Sequence, residues 1–100
     1  MSPWHTKETT KLFRALKILQ SEEEFCAFLE DICTIKEIMD LSLRLRVAEM
    51  LHAGASYQTI TKETGASTAT ISRVGKCLEY GSGGYKLVIE RLIDMEKENG

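Results

Sequence analysis

The sequence has a single proline, Pro3, and no alternating run of β-branched residues long enough to form a strand. Both absences favour a helical chain, because proline interrupts helices and apolar-polar alternation marks strands. No stretch approaches the roughly 20 apolar residues of a membrane span. The N-terminal residues also lack the apolar core of a signal peptide. We therefore expect a cytoplasmic protein with an all-α fold.

Cysteine and histidine are also scarce. Cys26, Cys33 and Cys77 are odd in number and widely spaced, which argues against a disulfide framework and predicts free, buried thiols. His5 and His52 lie far from any cysteine pair, so we expect no metal site. Because no catalytic grouping of serine, histidine and acid and no phosphate-binding glycine loop is visible, we expect no enzymatic activity.

What the chain does contain is the composition of one folded domain, with 43% hydrophobic and 28% charged residues, and we assign residues 1–100 to it. The formal net charge is −2. The segment from residue 56 to residue 78, however, contains three basic residues, Lys62, Arg73 and Lys76, and one acidic residue, Glu63, so its charge is +2. This segment is therefore the one suited to a polyanionic partner.

Apolar spacing and capping residues predict three helices in the first half of the chain. The first covers Thr6–Gln20. The stretch "SEEE" from Ser21 predicts a capping box that opens the second helix, and "TIKE" from Thr34 predicts another that opens the third. The third helix is expected to run to about Ala53, where Gly54 ends it.

Three further helices are predicted in the second half. A short helix over residues 57–64, a turn at Gly65 and a helix from Ser67 to about Leu78 form a helix-turn-helix over about 57–78. Its apolar contacts are expected from Ile60, Ile71 and Val74. A last amphipathic helix follows "EYGSGGY" and aligns four apolar residues, Tyr85, Val88, Leu92 and Met95. The fold is thus expected to contain six helices.

The second helix of the motif is built from short side chains where Leu and Glu would form a helix more readily. A helix that approaches base edges in the major groove needs such side chains, with hydroxyls for hydrogen bonds and methyls for thymine. We therefore predict that bases are read by Thr68, Ala69 and Ser72, next to the N-cap Ser67. Backbone or groove-rim contacts are expected from Gln58, Lys62, Arg73 and Lys76.

The stretches "RLRVAEML…G" from Arg44 and "TKETGASTATISR" resemble the Trp repressor superfamily, and most of all its YerC/YecD-like branch. The resemblance covers about Thr34 to Leu78. It implies a six-helix fold, an intertwined homodimer, and two helix-turn-helix units on successive major grooves of a palindromic operator. It also implies a transcriptional regulator, most simply a repressor, with double-stranded DNA as its partner.

The resemblance further implies a ligand pocket at Thr34, Arg44, Thr70 and Arg73, since the namesake of the family takes L-tryptophan as corepressor. The position after Arg73 carries a small glycine in that repressor and Val74 here. A branched side chain would intrude where the indole ring should lie. We therefore expect no cofactor, or a small ligand other than tryptophan.

Two other interpretations stay open. Helix-turn-helix modules of transposases and recombinases share the "TGASTATISR" pattern. The second is a helical adaptor that binds protein and no DNA, whose helices pack into a dimer through Leu12, Leu16, Phe25 and Phe28. Replacing Thr68 and Ser72 would weaken a DNA-binding protein and leave such an adaptor unimpaired, so this change distinguishes the two.

Overall fold

The computed structural model describes residues 3–99, and within this range the chain forms six helices and no strand. The helices are α1 (Lys7–Lys17), α2 (Glu22–Ile32), α3 (Ile35–His52), α4 (Tyr57–Thr64), α5 (Thr68–Tyr80) and α6 (Gly84–Asn99). The predicted all-α fold with six helices is confirmed. The predicted boundaries differ mainly at two ends, since α1 stops three residues before Gln20 and α5 continues two residues past Leu78.

Hydroxyl side chains cap the starts of the first three helices. Thr34 and Glu37 form the predicted capping box, with Glu37 N donating to Thr34 Oγ1 at 3.1 Å and Thr34 N to Glu37 Oε1 at 2.8 Å. Ser21 caps α2 as predicted. Glu24 also reaches back as predicted, but its Oε1 accepts from the amide of Gln20, one residue before the amide of Ser21 that a capping box would use. A capping box at the start of α1, Thr6 with Thr9, has no acidic partner and was not predicted.

Contacts divide the described residues into two compact units, with the division after Ile38 inside α3. The first unit has no buried residue in α1 or α2. The second unit encloses the core, which consists of Val47, Ala48, Met50, Ile60, Ala66, Ile71, Val74 and Ile89. The single domain predicted over residues 1–100 stays a prediction, and residues 1, 2 and 100 lie outside the described part.

Helix α6 enters the core through a residue that the sequence pattern did not single out. Ile89 is 2% exposed, whereas two of the four aligned residues, Val88 and Met95, are about half exposed. Tyr85 and Leu92 are partly buried. Because residues 85, 89 and 92 follow one another at helical spacing, the inward face of α6 runs along them, and Val88 and Met95 lie beside it.

The cysteines are free, as predicted, but two of them are not buried. Cys26 is exposed because it lies on the same side of α2 as Glu22 and Glu30, one helical turn away in each direction. Cys77 is exposed on α5, and Cys33 is partly buried. Among the helices of residues 3–99, none combines the length and apolar character that crossing a bilayer requires.

Candidate nucleic-acid interface

The helix-turn-helix consists of α4, a three-residue connection and α5. Ile60 on α4 and Ile71 on α5 are fully buried, and Val74 is 3% exposed, so the predicted apolar contacts are confirmed. Ala66 in the connection is buried with them. These four side chains pack in one core and hold the two helices of the motif together.

The connection between the helices is a hydrogen-bonded turn. Gly65 has φ +75°, the left-handed conformation that glycine adopts at little cost, as predicted. The Thr64 hydroxyl donates to the carbonyl of Ile60 at 2.6 Å and accepts from the amide of Ala66 at 3.1 Å. One threonine thus links the carbonyl of Ile60 within α4 to the amide of Ala66 before α5. No spacing or capping pattern in the sequence indicated this role of Thr64.

The N-terminal end of α5 is fixed by its cap. Ser67 Oγ accepts from the amide of Thr70 at 3.1 Å and also lies 3.1 Å from the Thr70 hydroxyl oxygen. The predicted N-cap is confirmed. Thr68 and Ala69, which follow the cap, are both exposed, and Ser72 one turn later is partly exposed. Short side chains therefore leave the backbone of the first turns of α5 open to a partner.

The four long polar side chains predicted to contact a nucleic-acid backbone are exposed, but they do not form one patch. Lys76 lies with Ser72 in a cleft on one side of α5. Arg73 lies in a separate pocket on the other side, with Thr70. Gln58 and Lys62 lie on α4. Arg73 and Lys76 therefore lie on opposite sides of α5, beyond its exposed start.

Helix α4 is joined to α3 by an ion pair as well as by the core. Arg46 Nη2 lies 3.8 Å from Glu63 Oε2, and both side chains are more than half exposed. Glu63 is the acid among the cations of this segment, and the pair reduces its effect on a nearby polyanion. At this exposure the contribution to stability is small.

Three of the four residues that the family resemblance implies for a ligand lie together. Arg44, Thr70 and Arg73 line a pocket of about 200 Å³, which we call the arginine pocket. Its remaining lining comes from Val74, Cys77 and Tyr85. The fourth residue of the set, Thr34, caps the start of α3. The volume is below the roughly 300 Å³ at which small-molecule sites usually begin.

A larger cleft lies on the other side of α5 and was not predicted. It has a volume of about 550 Å³, and its polar lining consists of His52, Tyr57, Ser72, Lys76, Glu79 and Lys86, together with Tyr80. We call it the cationic cleft. Four helices contribute to it, at sequence separations of up to 34 residues between His52 and Lys86. No spacing pattern in the sequence connects these residues, so periodicity alone does not reveal the cleft.

Comparison with known proteins gives one family and several structures of the same fold. The family model described as Trp repressor protein matches residues 7–93. YerC of Bacillus subtilis (strain 168), an uncharacterised protein, is 47% identical over 93 residues, which are 93% of this chain and 89% of YerC.

Two crystal structures are similar along most of the chain. A TrpR-like protein from Eubacterium eligens ATCC 27750 has a TM-score of 0.84 and 49% identity, covering 87% of this chain and 90% of its own. A candidate Trp repressor from Staphylococcus aureus has a TM-score of 0.84 and 43% identity, covering 88% of each chain. The similarity therefore includes the helix-turn-helix and the helices on either side of it.

Proposed function

Since the chain belongs to the Trp repressor family, we propose that it is a sequence-specific DNA-binding transcriptional regulator, acting as a repressor. It binds a palindromic operator as a homodimer. The observation that carries the proposal is the start of α5, where Thr68 and Ala69 are exposed directly after a capped turn on a buried helix-turn-helix frame. Such a frame presents short side chains to the major groove.

In this proposal Thr68, Ala69 and Ser72 contact base edges. Their hydroxyls donate and accept hydrogen bonds, and their methyl groups contact thymine. Ser67 lies at the positive end of the α5 dipole, which favours a nearby phosphate. Gln58, Lys62, Arg73 and Lys76 contact the sugar-phosphate backbone or the groove rim and fix the register of α5.

The dimer is supported by apolar side chains that the described residues of one protomer leave accessible. Ile18 is 74% exposed, Ile32 51%, Ile35 82% and Met39 64%. On α6, Leu87, Val88 and Met95 are about half exposed. Exposed apolar side chains at this density are typical of a surface that a second subunit covers. Two protomers then present two α5 helices to half-sites about one helical turn of DNA apart.

We propose that L-tryptophan is not the effector. Arg44, Thr70 and Arg73 supply suitable polar groups, but Val74, Cys77 and Tyr85 line the rest of the arginine pocket and leave it only about 200 Å³. Val74 is buried in the core and cannot move aside without disturbing the helix-turn-helix. Isothermal titration with L-tryptophan is expected to give no binding heat. Saturable binding would contradict this part of the proposal.

The experiment that tests the function is selection from a random duplex DNA pool at two salt concentrations. The native protein is expected to enrich a palindromic sequence, and the Thr68→Glu, Ser72→Glu variant is expected to enrich none. Carboxylates at these positions would repel phosphates and lose the hydroxyl contacts. Glu at position 68 lies in the first turn of α5, where the helix dipole favours it, so the fold should be retained.

The matched control places the same added charge outside the motif, as Ser82→Glu with Asn99→Glu, both at exposed positions. This control should enrich the same palindrome as the native protein. If the Thr68→Glu, Ser72→Glu variant also kept its selectivity, α5 would not be the reading helix. A native protein without any enrichment would favour the protein-binding adaptor.

A further inference from the structure

The cationic cleft begins where the proposed base contacts end. The chain contributes Ser72 and Lys76 to it from α5, His52 from the end of α3, Tyr57 from the start of α4 and Lys86 from the first turn of α6. Ser72, Lys76 and Glu79 follow one another along one face of α5 at helical spacing. The cleft is therefore continuous with the surface that carries the base-reading side chains.

The chemistry of this lining suits an anion. Lys76 and Lys86 are exposed, and among the described residues neither forms an ion pair, so both charges are available to a ligand. His52, Tyr57 and Ser72 add neutral hydrogen-bond donors. Glu79 is the acid in the lining, which leaves a net charge of +1 with the histidine neutral. The cleft thus combines cationic side chains and hydroxyl donors in the way that phosphate groups require.

The Tyr57 hydroxyl lies close to the backbone of α5. A β-carbon at residue 75 would be 3.6 Å from Tyr57 Oη and 3.7 Å from Leu51 Cδ1. Both distances are ordinary van der Waals contacts, so the Tyr57 hydroxyl packs beside Gly75 in the middle of α5. Tyr57 is 44% exposed, so its hydroxyl can be reached from solvent.

The position of the cleft along α5 identifies the source of the phosphate. Lys76 lies eight residues after Thr68, which is about 12 Å along a helix axis. The major groove is about 12 Å wide. A helix whose first turn contacts bases therefore reaches the rim of the groove near Lys76, and the sugar-phosphate backbone runs along that rim.

We propose that the cationic cleft binds a backbone phosphate of the DNA that α5 reads, with Tyr57 as a contact at the start of the helix-turn-helix and His52 and Lys86 as contacts beyond it. This proposal rests on the DNA-binding function proposed above. It assigns a nucleic-acid role to α6 and to the end of α3. Lys76 and Lys86 supply charge to the phosphate, while Tyr57 donates a neutral hydrogen bond and Ser72, at the edge of the cleft, stays with the bases.

The test measures the affinity of the dimer for two labelled duplexes, the selected operator and an unrelated sequence, by fluorescence anisotropy from 50 to 200 mM salt. For Lys86→Gln we expect affinity to fall about 10-fold on both duplexes, because phosphate contacts carry no sequence information. The slope of log affinity against log salt is negative, and its magnitude should fall by about 0.9 for each protomer, or about 1.8 for a dimer.

Lys97→Gln is the matched control, since it removes the same charge from the exposed far end of the same helix. It should leave the slope within about 0.3 of the native value, because interactions of exposed charges beyond a Debye length are largely screened. Tyr57→Phe removes a neutral donor, and we expect it to lower the affinity for both duplexes about 3-fold. The salt dependence of the affinity should stay unchanged, since no counterion is involved.

The outcomes separate this inference from the proposed function. If operator binding persists and Lys86→Gln has the same slope as Lys97→Gln, the cleft does not hold a DNA phosphate, and the function stands. If inorganic phosphate shifts the NMR signals of Lys86 and Tyr57 while Lys86→Gln leaves DNA affinity unchanged, the site serves a free phosphate compound and the assignment to DNA is overturned. If the native protein binds neither duplex, both proposals fail.

Discussion

Helices α1 and α2 bury no side chain, whereas the unit that begins at Met39 encloses a core to which α3, α4, α5 and α6 all contribute. Both regions are amphipathic and both have capped helix starts. They differ in where their apolar faces go. In the second unit these faces pack against one another, and in α1 and α2 residues such as Phe13 and Phe25 stay 39% exposed.

The difference teaches that local helix signals and self-sufficient folding are separate properties. A helix of 11 residues is marginal in water without tertiary contacts. The second unit has enough buried apolar surface to hold its helices in place, while α1 and α2 need their apolar faces covered. In the proposed homodimer the second protomer covers these faces. The first region then serves dimer formation, and the second region serves DNA recognition.

The largest effect should come from breaking the core of the second unit. Ile71→Ala removes a fully buried side chain between α5 and the rest of the core, and we expect it to cost about 2–5 kcal/mol of unfolding free energy. Ile18→Ala changes a residue that is 74% exposed in one protomer. At protein concentrations too low for the dimer to form, it should cost less than about 0.5 kcal/mol of unfolding free energy.

Urea denaturation at several protein concentrations measures both values. If the cost of Ile18→Ala rises with protein concentration while that of Ile71→Ala does not, Ile18 lies in the dimer interface. If the two substitutions cost the same at low protein concentration, the two regions would not differ in how firmly their apolar side chains are packed.

The next effect concerns assembly. Phe25→Ser with Ile32→Ser removes two exposed apolar side chains from α2, and we expect the dimer dissociation constant to rise about 100-fold, or about 2.7 kcal/mol. Sedimentation equilibrium measures it against Ala27→Ser, an exposed change on the same helix. A native protein that sediments as an 11.3 kDa monomer at micromolar concentration would refute the dimer.

A smaller effect on stability is expected when the N-cap serine of one helix in each region is replaced by alanine. Ser67→Ala and Ser21→Ala each remove one cap hydrogen bond of 3.1 Å. At Ser67 we expect a loss of about 1 kcal/mol in the global unfolding free energy. At Ser21 the loss should be seen mainly as faster amide hydrogen exchange in the first turn of α2, because no buried contact couples that turn to the core. Identical exchange patterns in the two variants would count against this distinction.

The smallest effect is expected at the ion pair between α3 and α4. A double-mutant cycle with Arg46→Ala and Glu63→Ala should give a coupling energy below about 0.5 kcal/mol, since both side chains are more than half exposed. Thermal unfolding of the two single variants and the double variant measures it. A coupling above about 1 kcal/mol would show that the pair stabilises the position of α4.

Features that depend on neighbours in the sequence could be predicted from the sequence. Three of the four buried residues of the motif, Ile60, Ile71 and Val74, follow from helical spacing. The cap at Ser67 and the turn at Gly65 follow from local backbone chemistry. The roles predicted for Thr68, Ala69 and the other site residues rest on the resemblance and on side-chain chemistry, and they stay predictions.

Features that depend on packing between distant segments could not be predicted. The inward face of α6 is set by the position of that helix against the core, so Ile89 was missed. The cationic cleft joins residues of four helices, and its members share no spacing. Burial of Cys26 was predicted wrongly because helical spacing places it near both apolar and acidic residues, and the fold decides which side is covered.

The caps of the helices also bear on how quickly the chain becomes ordered. The hydroxyls of Thr6, Ser21, Thr34, Ser56 and Ser67 each accept a hydrogen bond from the amide three residues later. Such a contact closes with the first helical turn and needs no distant segment. Helices of peptides form in about 0.1–1 μs, so the unfolded chain should sample α1 to α5 long before the core assembles. The slow step in folding is then the docking of helices that are already starting to form.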